Sequence, residues 1–207
     1  MATDGRRPVG VLALQGDVEE HLNALRRAGA EGIAVKTAAQ LERAGGLIIP
    51  GGESTTVMKL LDRSGLAAPI VDRVRTGMPL WGTCMGMIVI ARDVAGLQQP
   101  SLGLLDVTVR RNAFGRQNDS AEVDLDVPAL GAPRFPAIFI RAPWIEKAGP
   151  GVDVLAQRDG HGVMVRQGNV LGTSFHPELT ADPRVHEYFL KMVDRSEGGV
   201  GKRREVA

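Results

Sequence analysis

The sequence has little cysteine, few aromatic residues and almost no net charge. Its 207 residues include one cysteine, Cys84, and aromatic side chains make up 4% of the chain. A single thiol forms no internal disulfide and excludes a multi-cysteine metal site, so we expect a reducing, cytoplasmic setting. The 25 basic and 24 acidic side chains leave a formal net charge of +1. Proteins that bind nucleic acids or anionic membranes normally carry a strongly basic face, and we therefore expect neither as a partner.

Long hydrophobic runs are also missing. The longest apolar stretch, Met78 to Ala91, is interrupted by glycine and threonine and falls short of the ~18 apolar residues that a spanning helix needs. Val9 to Leu14, behind the first basic residues, is too short for the core of a signal peptide. The length fits one compact domain, which we place at residues 1–195, followed by a polar and flexible C-terminal tail at residues 196–207.

The pattern of apolar residues predicts a fold of the α/β class. Apolar runs at Val9–Leu14, Gly32–Val35, Gly46–Pro50 and Pro79–Thr83 alternate with helical patterns, which is typical of parallel strands buried on both faces. From Val107 onward short β-like runs separated by turn residues predict antiparallel strands. We therefore expect three layers, α/β/α, around a mainly parallel central sheet with additional antiparallel strands.

Cys84 lies where a predicted strand meets a predicted helix. In Gly82-Thr83-Cys84-Met85-Gly86 the glycines leave room for a sharp turn that projects the side chain above the sheet edge. This is the nucleophile-elbow pattern with cysteine in place of serine. A helix N-terminus also favours thiolate over thiol. The alternative is a buried structural cysteine, which is a common environment for this residue.

A cysteine nucleophile needs a base, and His176 is the best placed of the four histidines. It ends an apolar strand and precedes Pro177 and Glu178, and in an extended segment side chains at i and i+2 point the same way. The Glu178 carboxylate would then fix the tautomer of the imidazole, giving a Cys/His/Glu triad. An exposed turn with an incidental ion pair is the alternative. His21 and His186 fall inside amphipathic helices, where structural roles are expected.

Acyl transfer also needs donors for the developing oxyanion. Pro50-Gly51-Gly52-Glu53-Ser54 joins an apolar strand to a helix, so the backbone N–H groups of this loop are candidates, and the N–H of Met85 is the second donor. A phosphate-binding loop is the competing interpretation. It is disfavoured because no lysine follows the glycines and no GxGxxG is present.

The glycine loop at residues 50–54, the cysteine turn at residues 82–86 and the His176-Pro177-Glu178 segment follow one another in this order along the chain. Together they resemble the motifs of the triad-type, class I glutamine amidotransferases, whose fold is flavodoxin-like. Within that group the chain is similar to the glutaminase subunits of pyridoxal 5′-phosphate synthases, on segments that extend from about Val9 to Val193. The segments that carry this closer resemblance are Leu14-Gln15-Gly16-Asp17, Gly52-Glu53-Ser54-Thr55-Thr56, Arg111-Asn112-Ala113-Phe114-Gly115-Arg116-Gln117, Phe139-Ile140-Arg141-Ala142-Pro143 and Ser174-Phe175-His176-Pro177-Glu178-Leu179-Thr180. Met85 departs from the family, which more often has alanine there.

The resemblance implies hydrolysis of L-glutamine to glutamate and ammonia. Cys84 would attack the side-chain amide, His176 would transfer the proton and Glu178 would orient His176. The residues implied to bind glutamine are Gly52, Glu53, Ser54, Arg111, Ile140 and Arg141, while Gly52 and Met85 would supply the oxyanion donors. No metal is implied, and pyridoxal 5′-phosphate would be the product of a partner rather than a cofactor of this chain.

The resemblance also implies a partner. This is a (βα)8-barrel synthase subunit that receives the ammonia internally within a large hetero-oligomeric ring and makes pyridoxal 5′-phosphate. Two alternatives stay open from the residues. One is a non-catalytic subunit that senses glutamine or regulates a partner. The other is an amidotransferase or γ-glutamyl hydrolase that serves another pathway.

Overall fold

The computed structural model describes residues 6–111 and 120–204, with side chains as far as residue 198. The segment from Asn112 to Gln117, which carries part of the resemblance, lies outside the described residues. The strands are β1 (Val9–Leu12), β2 (Gly32–Val35), β3 (Gly46–Ile49), β4 (Leu80–Thr83), β5 (Ala91–Val94), β6 (Leu105–Arg110), β7 (Ser120–Leu125), β8 (Phe135–Ile140), β9 (Trp144–Ala148), β10 (Asp153–Arg158), β11 (His161–Gln167) and β12 (Val170–Thr173). The helices are α1 (Val18–Arg27), α2 (Ala38–Arg43), α3 (Ser54–Ser64), α4 (Ala67–Arg75), α5 (Met85–Ile90) and α6 (Arg184–Arg204).

A parallel sheet forms the centre of the molecule. Its strands run in the order β2-β1-β3-β4-β12 and are all parallel. Beyond β12 the sheet continues through β11, β9, β6 and β5, and β11, β9 and β6 pair with antiparallel neighbours. The edge pair β5–β6 is parallel, and β7 and β8 form a separate antiparallel pair. The predicted mainly parallel sheet with antiparallel additions is confirmed.

The two faces of the sheet bury separate apolar clusters. Neighbouring residues of β3 alternate between the faces, because successive side chains of a strand point to opposite sides. Leu47 and Ile49 join a cluster with side chains of α2, α3, α4 and α5, whereas Ile48 joins a cluster with α1, α6 and the β7–β8 pair. Trp81 of β4 is fully buried in the second cluster. The three-layer α/β/α fold predicted from the sequence is therefore confirmed.

Some elements differ from the sequence-based expectations. α5 ends at Ile90, and the chain continues directly into β5. The sequence patterns did not predict β5, β9 or α2. α6 extends to Arg204, into the segment that the sequence predicts to be a flexible tail. The flexibility of that tail and the division at residue 195 stay predictions. Within the described part of the chain, no helix is both long and apolar enough to cross a bilayer.

Candidate active site

Cys84 occupies a sharp turn between β4 and α5. Its backbone has φ 48 and ψ −111, in the left-handed region that residues other than glycine rarely adopt. A Cβ placed on Gly86 would overlap the backbone oxygen of Ile49, so glycine is what lets α5 approach β3 this closely. The predicted elbow geometry is present, and the thiol lies 3.7 Å from the backbone oxygen of Ile140.

His176 reaches the same edge of the sheet as Cys84. β12 pairs in parallel with β4, with Thr173 opposite Thr83, so the two chains leave the sheet side by side. Both side chains line the same cavity, and Cys84 contributes to the raised pKa of His176. The predicted nucleophile and the predicted base therefore meet at one site, although they lie 92 positions apart in the sequence, from 84 to 176.

Glu178 binds the other side of the imidazole. Its Oε1 lies 2.7 Å from His176 Nδ1, and both side chains are buried. The sequence predicts an extended segment here, but Pro177–Leu179 form a 3-10 turn. The predicted contact forms all the same, because the turn brings the carboxylate back toward the imidazole.

A second carboxylate, that of Asp17, also faces the imidazole. Asp17 Oδ2 lies 3.4 Å from His176 Nδ1. Burial on its own lowers the pKa of His176, but hydrogen bonds with Asp17, Cys84 and Glu178 outweigh burial and raise that pKa from 6.5 to about 12. The imidazole is therefore held as an imidazolium beside the Cys84 side chain.

Glu178 lies in turn against a buried pair of histidines. His21 Nε2 is 3.4 Å from Glu178 Oε2 and 3.2 Å from Thr83 Oγ1, and His21 Nδ1 is 3.1 Å from His186 Nε2. Trp81 packs against both rings in T-shaped arrangements. Burial, above all, lowers the pKa of His21 well below 6.5 and that of His186 to about 3, so both rings are neutral near pH 7.

A cavity of about 310 Å³ opens above the thiol. It brings together most of the residues that the sequence predicts to take part in the reaction, and its lining consists of Gln15, Asp17, Gly52, Glu53, Cys84, Met85, Ile140, Arg141, His176 and Leu179. Three predicted residues, Ser54, Arg111 and Glu178, stand behind this lining. The cavity is wide enough for a small polar substrate.

Ser54 and Arg111 support the wall of the cavity through a chain of polar contacts. Arg111 donates to Glu53 Oε1 at 3.0 Å and to Gln99 Oε1 at 3.0 Å, and Gln99 Nε2 donates to the Ser54 hydroxyl at 3.0 Å. The sequence suggests Ser54 as the N-cap of α3, but Glu53 holds that position and Ser54 is the first helical residue. Its hydroxyl is instead engaged by Gln99.

The glycine loop after β3 runs close against the imidazole. A Cβ on Gly51 would lie 2.6 Å from His176 Cε1 and 3.0 Å from Asp17 Oδ2, so a side chain there would displace the imidazole. Beside it, Gln15 Oε1 accepts a hydrogen bond from the backbone N–H of Glu53 at 2.8 Å. The loop is therefore fixed from the β1–α1 connection.

Sequence reasoning missed several residues of this site. Asp17, Gln15 and Leu179 line the cavity, and His21 contacts the triad glutamate. Gln15 and Asp17 belong to a segment that carries the family resemblance, which was the available signal. His21 gave none, because its place on α1 also fits an ordinary core position.

The cluster of Asp17, His176 and Glu178 could also attract a cation. One potential ligand atom of each lies within 4.8 Å of the others. His176 Nδ1 is already engaged by Glu178 at 2.7 Å, an arrangement that serves proton transfer. That the site uses no metal stays a prediction.

Comparisons with known proteins agree with this geometry. The model of the SNO glutamine amidotransferase family matches residues 11–195. The chain is 54% identical over 185 residues to the pyridoxal 5′-phosphate synthase subunit PdxT of Moorella thermoacetica, which covers 89% of this chain and 98% of the relative. It is 57% identical over 189 residues to the subunit of the same name from Dehalococcoides mccartyi, with 89% and 96% covered.

A solved structure supports the same relationship. A crystal structure described as a glutamine amidotransferase superposes with a TM-score of 0.85 at 50% sequence identity, covering 90% of this chain and 98% of that one. Both the sequence and the fold are therefore similar to those of proteins that transfer the amide nitrogen of glutamine.

Proposed function

The chain belongs to the SNO glutamine amidotransferase family, and from this premise we propose that it is the glutaminase subunit of a pyridoxal 5′-phosphate synthase. It hydrolyses L-glutamine to L-glutamate and ammonia and passes the ammonia to a synthase subunit. The observation that carries the proposal is that Cys84 and His176 line one cavity while Glu178 forms a hydrogen bond with the His176 ring at 2.7 Å. Relatives named as subunits of this synthase favour the vitamin B6 pathway over other amidotransferase pathways.

In the first half-reaction Cys84 Sγ attacks the side-chain carbonyl carbon of glutamine. The carbonyl oxygen becomes an oxyanion, for which the backbone N–H groups of Met85 and Gly52 are the proposed donors. The tetrahedral intermediate collapses when His176 donates its proton to the amide nitrogen, which leaves as ammonia. A γ-glutamyl thioester on Cys84 remains.

In the second half-reaction water replaces the thiol. His176, now neutral, removes a proton from water, the hydroxyl oxygen bonds to the thioester carbon, and the C–S bond breaks to release glutamate. Part of the rise in the pKa of His176 comes from Cys84, through a hydrogen bond and the thiolate charge. Formation of the S–C bond in the tetrahedral intermediate removes that contribution, so the imidazolium becomes a better proton donor before ammonia leaves and the neutral imidazole is a usable base afterwards.

The walls of the cavity suit the polar ends of glutamine. Glu53 and Arg141 line the cavity with Ile140, and Arg111 and Ser54 hold Glu53 and its helix from behind. We assign Glu53 and the backbone of Gly52 to the substrate amino-acid end, and the Arg141 guanidinium to the α-carboxylate, since a carboxylate needs a cationic or N–H partner. Met85, longer than the family's usual alanine, narrows the mouth.

The names of the relatives, which are subunits of a synthase, support the proposal of a partner subunit. We propose a synthase subunit with a (βα)8 barrel, within a hetero-oligomeric ring, that receives ammonia without its release to bulk solvent. Ile140 and Leu179, which are 37% and 41% exposed at the cavity, are apolar side chains that a docked subunit would cover. A cytoplasmic location is part of the proposal and rests on the single thiol nucleophile.

The test is glutamate release from glutamine, measured with and without the purified synthase subunit. We expect release that depends on Cys84 and that is faster with the synthase present. The Cys84→Ala variant loses glutamine-dependent synthesis of pyridoxal 5′-phosphate but supports synthesis from added ammonium, because the synthase step needs ammonia and not the thiol. If wild type releases no glutamate with the synthase present, the chain is a non-catalytic regulatory subunit and the proposal is wrong.

A further inference from the structure

The triad glutamate has a second oxygen, to which the reaction described above assigns no role. Glu178 Oε1 binds His176, while Oε2 is buried without a full hydrogen bond to any described residue. His21 Nε2 lies 3.4 Å from this oxygen, and both side chains are completely inaccessible to solvent. A buried carboxylate is costly unless donors surround it. His21 is in the position to be such a donor.

The direction of the hydrogen bonds follows from what each ring nitrogen faces. His21 Nε2 lies 3.4 Å from a carboxylate oxygen, so a proton on Nε2 is attractive and a lone pair there is repulsive. With that proton on Nε2, neutral His21 accepts at Nδ1 from the Nε2–H of His186, 3.1 Å away. His186 Nδ1, buried with no partner among the described residues, then carries a lone pair. If His21 Nδ1 were instead the donor to His186 Nε2, neutral His186 would carry its proton on Nδ1. That buried N–H would have no partner among the described residues, a situation that native proteins rarely contain.

We propose that His21, fixed by His186, donates its Nε2–H to Glu178 Oε2 and acts as a positioning residue that keeps the triad glutamate oriented and ionised. This inference rests on the function proposed above. His21 does not line the cavity, so it acts through Glu178 and His176 rather than on the substrate. Thr83 Oγ1, 3.2 Å from the same nitrogen, shares the donor and helps to fix the ring.

The surroundings of Glu178 explain why such a donor is needed. Burial raises the pKa of Glu178, and only the contacts with His176 and one backbone hydrogen bond lower it. The ionisable groups around the carboxylate are His176 beside it in the chain, Asp17 and His21 from α1 and its start, and His186 behind His21 on α6. Asp17 is a further negative charge and opposes ionisation. His21 is the neutral donor that offsets these effects.

Two substitutions of His21 distinguish the loss of the hydrogen-bond donor from the loss of the imidazole ring itself. The amide nitrogen of glutamine reaches about as far as imidazole Nε2, whereas that of asparagine stops near the position of Nδ1. His21→Gln therefore keeps a donor toward Glu178, and His21→Asn removes it. His161→Asn, on a ring that stacks against Trp144 outside this cluster, is the control for replacing a histidine.

The first readout is steady-state glutamate release in the presence of the synthase subunit. We expect His21→Asn to lower kcat by roughly tenfold or more, since hydrogen bonds to charged groups are worth about that much, with KM within about twofold. His21→Gln is expected to recover most of the loss. Equal kcat in the two variants, or a change confined to KM, would overturn the inference.

The second readout does not depend on glutamine turnover. Because Cys84 is the single cysteine, uptake of iodoacetamide reports its thiolate directly, with Cys84→Ala as the blank. We expect the pH profile of alkylation to move upward by roughly one pH unit in His21→Asn, because a less ionised Glu178 supports the imidazolium less well, and to return toward wild type in His21→Gln. Overlapping profiles for wild type and His21→Asn would overturn the inference.

A third variant covers the case in which His21→Asn does not fold. His186→Leu removes the donor to His21 Nδ1 and leaves His21 in place, so we expect an upward shift of the alkylation profile of smaller size. An unshifted profile in that variant counts against the inference. If wild type releases no glutamate but these shifts appear, the proposed glutaminase function fails while the positioning role of His21 stands.

Discussion

The charged form of His176 is supported by the side chains around it. The contacts with Asp17, Cys84 and Glu178 raise the pKa of His176 to about 12 in spite of its burial. The protein itself therefore supplies the partners that hold the proton on the proposed base before the substrate arrives.

Replacing Glu178 by glutamine tests the contribution of its charge. The amide keeps the shape of the side chain but removes the negative charge opposite His176 Nδ1. We expect kcat for glutamate release to fall by roughly a hundredfold or more, as happens when the acid of a related triad becomes an amide. Asp17→Asn is the matched comparison, since that carboxylate is farther from Nδ1, at 3.4 Å, and more exposed. A smaller effect from Glu178→Gln than from Asp17→Asn would contradict this assignment.

The sequence predicts the three members of the triad better than the groups around them. His176 and Glu178 lie two residues apart behind an apolar strand, and Cys84 lies between glycines at a strand–helix junction, so local patterns are enough to predict all three. Asp17 and His21 come from the β1–α1 connection and the first helix. Their contacts depend on how α1 packs over the turn after β12, which no local pattern reveals.

α5 packs unusually close to β3, and glycine makes this possible. A Cβ on Gly86 would overlap the carbonyl oxygen of Ile49 and lie 3.0 Å from that of Pro50. Backbone cannot move aside as a flexible side chain does, so α5 and the elbow would have to shift together. This close approach is what aims Cys84 at the cavity.

We expect Gly86→Ala to lower the free energy of unfolding by at least about 1–3 kcal/mol and to abolish most glutaminase activity, because the forced shift acts on the nucleophile. Urea denaturation and glutamate release measure the two effects. Gly198→Ala is the matched control, since a Cβ there meets nothing within 4 Å on α6. We expect that control to be neutral or slightly stabilising, in line with helix propensity. Equal stability of the two variants would contradict the role given to Gly86.

Sequence patterns identify the parallel core more readily than the added strands. β1, β3 and β4 are continuous apolar runs, as strands buried on both faces require, and all three were predicted. β5 and β9 each include exposed charged residues, and β5 follows α5 without a turn signal. Their strand conformation depends on pairing with β6, a contact between distant parts of the chain.

Two buried histidines make the stability of the protein depend on pH. His186 has a pKa of about 3 in the folded state and about 6.5 when exposed, and His21 is shifted in the same direction. Between these values the unfolded chain binds more protons than the folded one, so stability falls as pH decreases below about 6.5. His176, whose pKa is raised to about 12, has the opposite sign, and its contribution is lost as pH rises above about 6.5.

We predict that His186→Leu reduces the loss of stability on acidification. A histidine held neutral with this shift lowers the free energy of unfolding by about 2 kcal/mol between pH 7 and pH 5. His186→Leu lacks this titrating group, so its free energy of unfolding decreases less over the same range. Urea denaturation at both pH values measures the difference. Between pH 7 and pH 8 we expect the two proteins to change in parallel, since an unfolded histidine carries little charge there. An equal decrease in both proteins between pH 7 and pH 5 would show that His186 is not held neutral.

The position of β12 determines when the site can exist during synthesis of the chain. β12 is the last strand in sequence, yet it fills a central place in the sheet, between β4 and β11. The N-terminal part of a chain leaves the ribosome first, whereas a domain folds as a unit. Until β12 emerges, β4 has an open edge and the Cys84 turn lies apart from His176. A ribosome-bound chain that ends before residue 170 lacks both β12 and His176 and therefore cannot hydrolyse glutamine.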